Sequence, residues 1–392
     1  MEACSPQTRD AFFTDLRTSK AEARAGLSAK QSTDKVSHWA QWQAFVSTLH
    51  GVDPHLNCIE PHLHVPFLQV FAHRLRHGKL TTSRGPVQSK RVQAYLRTIS
   101  EEIRLGSKWR LDPRFGTGPT MHLDLAHLRR SYSKADPPPE KVKPIPITLL
   151  QHACHQPTTA FAQARANMTI AGFFYMLRPG ECTQCRSNDH PFRLQDVTFE
   201  TPRGPVNAAT APVSQLRRAT SVLLYFTTQK NGTKGQPIVH GDTSHPSLSP
   251  LKAILKQVLM LRSHKAPPST PLYTYYSASG QPQAITSTDI TRQLRLSAAA
   301  VGGPLGIQPR DISARALRNG GCVALIRAGV DPLLAKMVGR WRSWAMIEYL
   351  QAATISTTPY AEQMLNAGSY TIPTHQTLPS DVLSLVGPYI ED

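Results

Sequence analysis

The stretch Asp311-Ile-Ser-Ala-Arg-Ala-Leu-Arg-Asn-Gly-Gly321 decides how this chain is read. Its apolar spacing predicts a helix over 313–328. On that helix Arg315 and Arg318, three residues apart, share one face, and the glycine pair at 320–321 permits another backbone to approach closely. Asp331-Pro332 then supplies an N-cap and a proline at the first helical position, which predicts a helix over 331–338. Next comes Val338-Gly-Arg-Trp-Arg-Ser-Trp-Ala-Met-Ile-Glu-Tyr349, a turn rich in Arg and Trp that leads into a short helix at 343–350 carrying one tyrosine.

Upstream, 148–176 reads as helices ending in Met176-Leu-Arg-Pro-Gly-Glu181, where Arg178 follows an apolar helix and a turn presents its guanidinium away from the core. Asn231-Gly232 lies between two strand-like runs, Val222–Thr227 and Gln236–Val239, and so marks a β-hairpin with Lys230 beside its turn. Helices are also expected at 251–264 and 288–301. The region 147–355 is therefore one domain, mainly α with a small antiparallel β-sheet. Ahead of it, Val36, Trp39, Trp42, Phe45, Val46 and Leu49 form a helical stripe. Further helices follow at 66–76, at Val92–Ile103 with Gly106 as a stop, and at 123–132. Together they make an all-helical domain over 33–132.

The segment 133–146, SKADPPPEKVKPIP, holds five prolines interleaved with charges and reads as an extended linker, about 40 Å long in polyproline geometry. Residues 1–32 read as a flexible leader or a loosely attached helix, and 356–392 as a mixed polar and apolar tail. No internal repeat or heptad run is visible.

Composition narrows the function. The chain has 392 residues, with 44 Lys plus Arg against 26 Asp plus Glu, for a net charge of +18. That balance points to a polyanionic partner. No run of about 18 apolar residues is present, so a membrane span is not expected, nor is a basic amphipathic helix of the membrane-surface type. The N-terminus lacks a secretory pattern and the six cysteines form no dense framework, so a reducing, intracellular setting is expected, the nucleus if the source is eukaryotic. Nucleic acid is the favoured polyanion.

Read in order, Arg178, Lys230, Arg315 with Arg318, Trp341 and Tyr349 resemble the signature of the tyrosine recombinase, or phage-integrase, family, closest to integrases of eukaryotic mobile elements. The resemblance covers nearly the whole chain and implies a helical core-binding domain followed by a catalytic domain. It also implies DNA cleavage and religation through a covalent 3′-phosphotyrosine, on double-stranded DNA, by a homo-oligomer that is tetrameric in the synaptic complex. No cofactor and no metal is implied, and the resemblance implies that the 356–392 tail docks on a neighbouring protomer.

The chemistry suits the residue types. A phosphodiester under attack gathers charge on its nonbridging oxygens, and guanidinium groups placed there stabilise that charge. Arg178 and Arg318 fit the task. Tyrosine ionises near pH 10 in isolation, and neighbouring cations favour its phenolate; Tyr349 follows the Arg-Trp turn. The leaving deoxyribose oxygen needs a proton, which by position Lys230 supplies, with Lys234 as its competitor.

Two features depart from the family pattern. Arg315 stands where a histidine is usual, so its role is electrostatic rather than that of a base. The interval from Trp341 to Tyr349 is eight residues where nine is common, so either Arg340 takes that station or the helix starts a residue early. Trp341 packs, contacts phosphate, or does both.

Lys90, Arg91 and Arg340 are the expected DNA contacts outside the reacting centre. Cys182-x-x-Cys185 near His190 lacks the further ligands a zinc site needs. The alternatives to a recombinase are a non-catalytic DNA-binding protein of the same fold and a type IB topoisomerase.

Overall fold

The computed structural model describes residues 5–25, 29–80, 86–116, 118–137, 142–184, 192–227 and 235–347. The chain forms two compact units, with the main division between Lys141 and Val142.

The first unit is helical: α1 (Pro6–Ala25), α2 (Ala29–Val46), α3 (His64–Arg76), α4 (Ser89–Gly106) and α5 (Leu123–Ala135). Trp42 and Phe45 of α2 meet Phe71 of α3 with ring centroids 5.4 and 5.5 Å apart. Their edge-on contacts join Leu68, Leu75, Val92, Tyr95, Ile99 and Ile103 in one dry core. The Trp42 indole N–H, buried with its ring, donates to the Pro54 carbonyl at 2.8 Å. On α4, Val92, Tyr95, Ile99 and Ile103 face inward and Leu96 is half-buried. Val36, expected in the α2 stripe, is 69% exposed instead. The stripe thus begins one turn later than its apolar residues suggest.

The leader contains α1, the helical alternative, with Phe12, Phe13 and Leu16 exposed. The 133–146 segment is held at both ends. Helix α5 runs to Ala135, and the Asp136 carboxylate accepts from the Arg76 guanidinium and from the Ser89 N–H at 2.8 Å. From Val142 the chain belongs to the second unit. There Lys143 pairs with Asp311 at 2.9 Å, and buried Ile145 donates its N–H to the Ala316 carbonyl at 3.3 Å. Alternating prolines and charges imitate a solvated spacer, but Asp136 and Ile145 find partners distant in sequence.

The second unit comprises α6 (Ile147–Ala153), α7 (Ala160–Phe174), α8 (Pro179–Cys182), β1 (Val197–Thr201), β2 (Gly204–Asn207), α9 (Val213–Leu216), β3 (Ser221–Phe226), β4 (Gln236–Gly241), α10 (Pro250–Ser263), β5 (Thr274–Tyr276), β6 (Pro282–Ala284), α11 (Ser287–Val301), α12 (Arg315–Arg327) and α13 (Pro332–Gly339). The main sheet is antiparallel with order β2-β1-β3-β4. The expected hairpin strands are β3 and β4, paired from Ser221–Gly241 to Phe226–Gln236; the Asn231-Gly232 turn lies outside the described residues.

Helix α7 is apolar on nearly every side and forms the centre of the unit, packed between α10 and α12. Its buried Asn167 donates to Gln257 Oε1 at 3.2 Å, and the Gln257 amide donates to the Leu272 and Thr274 carbonyls at 2.6 and 2.7 Å. The glycine pair of α12 permits the close approach its sequence predicts. A Cβ at Gly320 would sit 2.5 Å from the Ile145 carbonyl oxygen, and one at Gly321 would collide with that of Phe173, at the end of α7.

Candidate active site

The site is built on the way α7 ends. The Leu177 N–H returns to the Gly172 carbonyl at 3.0 Å and the Met176 N–H to Phe173 at 3.2 Å. This Schellman closure places Met176 in the left-handed region, φ 46°, where glycine is usual. Helix α13 closes in the same manner. Trp341 N–H bonds Lys336 at 3.1 Å and Arg340 N–H bonds Met337 at 2.9 Å, with Arg340 left-handed at φ 58°. A Cβ on Gly339 would strike the Trp341 ring, so that indole can fold back over the helix end only because residue 339 has no side chain.

Three arginines from three elements meet at these two turns. Arg318 of α12, 8% exposed, donates to the Met176 carbonyl at 3.0 Å and to the Gly339 carbonyl, and lies 4.3 Å over the Trp341 ring. Arg340 donates from Nη1 to the Tyr175 and Val338 carbonyls at 3.3 and 3.1 Å. From Nη2 it donates to the Met176 carbonyl and to Glu181 Oε2, both at 3.1 Å. Arg178, at the N-cap of α8, donates from Nη1 to Glu181 Oε1 at 2.8 Å, while its backbone N–H donates to Glu181 Oε2 at 2.8 Å. Its side chain remains a quarter exposed. Glu181 is buried and pairs with both Arg178 and Arg340. The hairpin reaches the same place: Phe226, the last residue of β3, lies under the Arg340 guanidinium at 3.9 Å.

Burial shapes the protonation states. Arg340 is pulled down to about 10 by desolvation, an effect the adjacent Glu181 opposes. Tyr175, beside the cluster, is fully buried and its phenol is pushed well above the ordinary tyrosine value; its hydroxyl donates to the Val222 carbonyl at 2.9 Å. Burial raises the Cys182 and Cys322 thiols to about 12 and about 11. None of these three groups is poised as a nucleophile near neutral pH.

The expected residues divide into four sets. Arg178, Arg318, Trp341 and Arg340 are brought together. Arg315 does not join them: it is exposed at the first position of α12, whereas Arg318, one turn further into the helix, is buried. Lys230, Lys234, Tyr349 and Cys185 lie outside the described residues. Lys90 and Arg91 are exposed on α4 in the other unit.

Arg340 requires a correction. Expected at the DNA surface, it is 6% exposed and spends every Nη hydrogen on protein acceptors. Its left-handed backbone turns the side chain inward, a conformation the sequence does not announce. Two participants carry no assigned role in the sequence reading: Glu181 and the Met176 carbonyl. A signal for Glu181 existed in its place three residues after Arg178, at the third position of a Pro-initiated turn. Nothing in the sequence marks a carbonyl.

Among the described residues no group of His, Cys, Asp and Glu side chains is arranged to hold a metal ion, and no helix is long and apolar enough to cross a membrane. No protein-family model matches the sequence, and no curated protein does. The chain is similar to several solved structures at 11 to 13% identity. It is similar to the Tn1549 transposon integrase in complex with transposon right-end DNA, at TM-score 0.45 and 11% identity over 91% of this chain and 99% of that one. It is similar to a lambda integrase dimer bound to a core site, at TM-score 0.46 and 13% identity over 92% and 97%. It is also similar to the XerH site-specific recombinase bound to its difH substrate, at TM-score 0.42 and 12% identity over 79% and 71%.

Proposed function

We propose that the protein is a site-specific DNA recombinase or integrase that cuts and rejoins double-stranded DNA through a 3′-phosphotyrosine. The observation that carries this reading is the convergence of Arg178, Arg318 and Arg340 on the Met176 turn and Glu181, a preorganised cationic cluster beside Phe226 at the end of β3. In this reading Tyr349 attacks the scissile phosphorus. The bond to the 5′ oxygen breaks, and Lys230 or Lys234 gives that oxygen its proton. Arg178 and Arg318 stabilise the charge that builds on the nonbridging oxygens, where loss of one such donor costs about a hundred- to a thousand-fold in rate. Arg315, exposed at the start of α12, adds positive potential along the DNA backbone. The phosphotyrosine conserves the bond energy, so an incoming 5′ hydroxyl reverses the step on a new strand without a high-energy cofactor. Lys90 and Arg91 add salt-sensitive affinity, and the working form is a homo-oligomer on DNA.

A nicked suicide duplex, drawn from a pool with randomised flanks, tests the reading by trapping a covalent protein–DNA adduct on a denaturing gel. The wild type gives an adduct and Tyr349→Phe gives none. An adduct that survives in Tyr349→Phe sinks the nucleophile assignment. Absence of adduct with every duplex in the pool favours a non-catalytic DNA-binding protein.

A further inference from the structure

We propose that Arg340 is a positioning residue: a buried cation that fixes Glu181 and the Met176 carbonyl, and through them Arg178 and Arg318, without itself touching DNA. This rests on the recombinase reading for the role of Arg178 and Arg318. It departs from the expectation of a direct DNA contact at residue 340.

Hydrogen-bond accounting carries the inference. A guanidinium has five N–H donors. Four of those on Arg340, the Nη hydrogens, go to the Tyr175, Val338 and Met176 carbonyls and to Glu181. The fifth, on Nε, is buried and has no acceptor among the described residues. One face of the group is covered by the Phe226 ring at 3.9 Å, and the side chain is 2% exposed. A phosphate oxygen would reach the Nη hydrogens only by displacing a carbonyl or the Glu181 carboxylate, at the cost of leaving that group buried and unpaired.

What Arg340 does hold is informative. Glu181 Oε2 accepts from both Arg340 Nη2 and the Arg178 backbone N–H, so the cation sets the carboxylate on which the Arg178 guanidinium rests. The Met176 carbonyl accepts from Arg340 and Arg318 together. Each reacting arginine is therefore one hydrogen bond removed from an Arg340 acceptor. A left-handed backbone at residue 340, which any residue but glycine adopts at a cost, is what brings the side chain to this position.

The test uses the full-length protein with Arg340→Asn, a residue that tolerates the left-handed region. Arg340→Asn combined with Glu181→Gln serves where the unpaired Glu181 prevents folding. Two readings are taken. The first is the slope of log affinity against log salt on a random-sequence duplex. The second is the rate of adduct formation on the suicide substrate with either an ordinary phosphodiester or a methylphosphonate at the scissile position; the methylphosphonate lacks the nonbridging charge that arginines stabilise.

Positioning predicts an unchanged salt slope and a loss of about a hundredfold on the phosphodiester, with a loss at least tenfold smaller on the methylphosphonate. A slope lower by about 0.9 means that Arg340 meets a phosphate, and overturns the proposal. So do equal losses on the two substrates in a folded variant, which mark a purely structural residue, and so does a wild-type rate. If the wild type itself forms no adduct, the recombinase reading fails, while the salt slope still decides whether Arg340 touches DNA.

Discussion

Arg340 donates a 3.1 Å hydrogen bond to the Met176 carbonyl, and both residues are left-handed helix terminators, at φ 58° and 46°. Glycine commonly fills such positions because it has no Cβ to strain. Here the chain accepts that strain twice. In one case it gains a guanidinium aimed into the unit, and in the other a carbonyl that accepts from two guanidiniums at once.

Replacing Arg340 separates backbone strain from side-chain pairing. Arg340→Gly relieves about 1 kcal/mol of left-handed strain but strips a partner from buried Glu181, which keeps Arg178. We expect Arg340→Gly to lose about 2 kcal/mol in urea denaturation and Arg340→Ala about 3 kcal/mol. Equal losses in the two variants would show that the left-handed turn stores no strain.

Gly321→Ala is expected to destabilise by about 2 kcal/mol or more, because its Cβ would meet the Phe173 backbone oxygen, which cannot rotate away. Gly241→Ala, whose new methyl would stand an ordinary 3.5 Å from the Thr220 carbonyl, should stay within about 0.5 kcal/mol of the parent. Thermal melts of the two variants check the contrast.

Two tyrosines should separate stability from chemistry. Tyr175→Phe removes the hydroxyl donated to the Val222 carbonyl and should cost about 1 kcal/mol while preserving adduct formation. Tyr349→Phe should do the reverse. Loss of adduct in a folded Tyr175→Phe would place the nucleophile beside α7 instead.

Acid should weaken the fold through His240. Burial holds its imidazole below the ordinary histidine value, partly offset by its bond to the Phe174 carbonyl. The unfolded chain therefore binds a proton near pH 6.5 that the folded His240 refuses. Stability should be level above that pH and fall as the pH drops through 6 to 5. His38, also depressed by burial, contributes in the same direction. His240→Phe should flatten part of the fall, as read from urea midpoints at pH 7 and pH 5; an unaltered fall would show that His240 is not among its causes.

Helix α4 shows how much of the fold is written locally. Val92, Tyr95, Ile99 and Ile103 repeat at helical spacing, and the structure buries all four. The pair β1 and β2 shows what was missed: alternation in Val197–Thr201 and the Pro202-Arg203-Gly204 turn were legible, yet the run is short and only β3 gives it a third strand. Composition marks 133–146 as a solvated spacer, and the division between the two units falls within it; what composition does not show is that Asp136 and Ile145 each have a partner far away in the chain.

The residue types on hand are legible in the chain: a net charge of +18, arginines at 178, 315, 318 and 340, and glycines at 320–321 where backbones touch. Where each arginine stands is a matter of tertiary packing. Arg315 and Arg318 differ by one helical turn in sequence but stand in solvent and in the interior respectively. Arg340 turns inward because a left-handed backbone and a buried carboxylate make that the place where its charge is compensated. Residue order cannot express this, because the partner that fixes Arg340 lies 159 positions earlier in the chain.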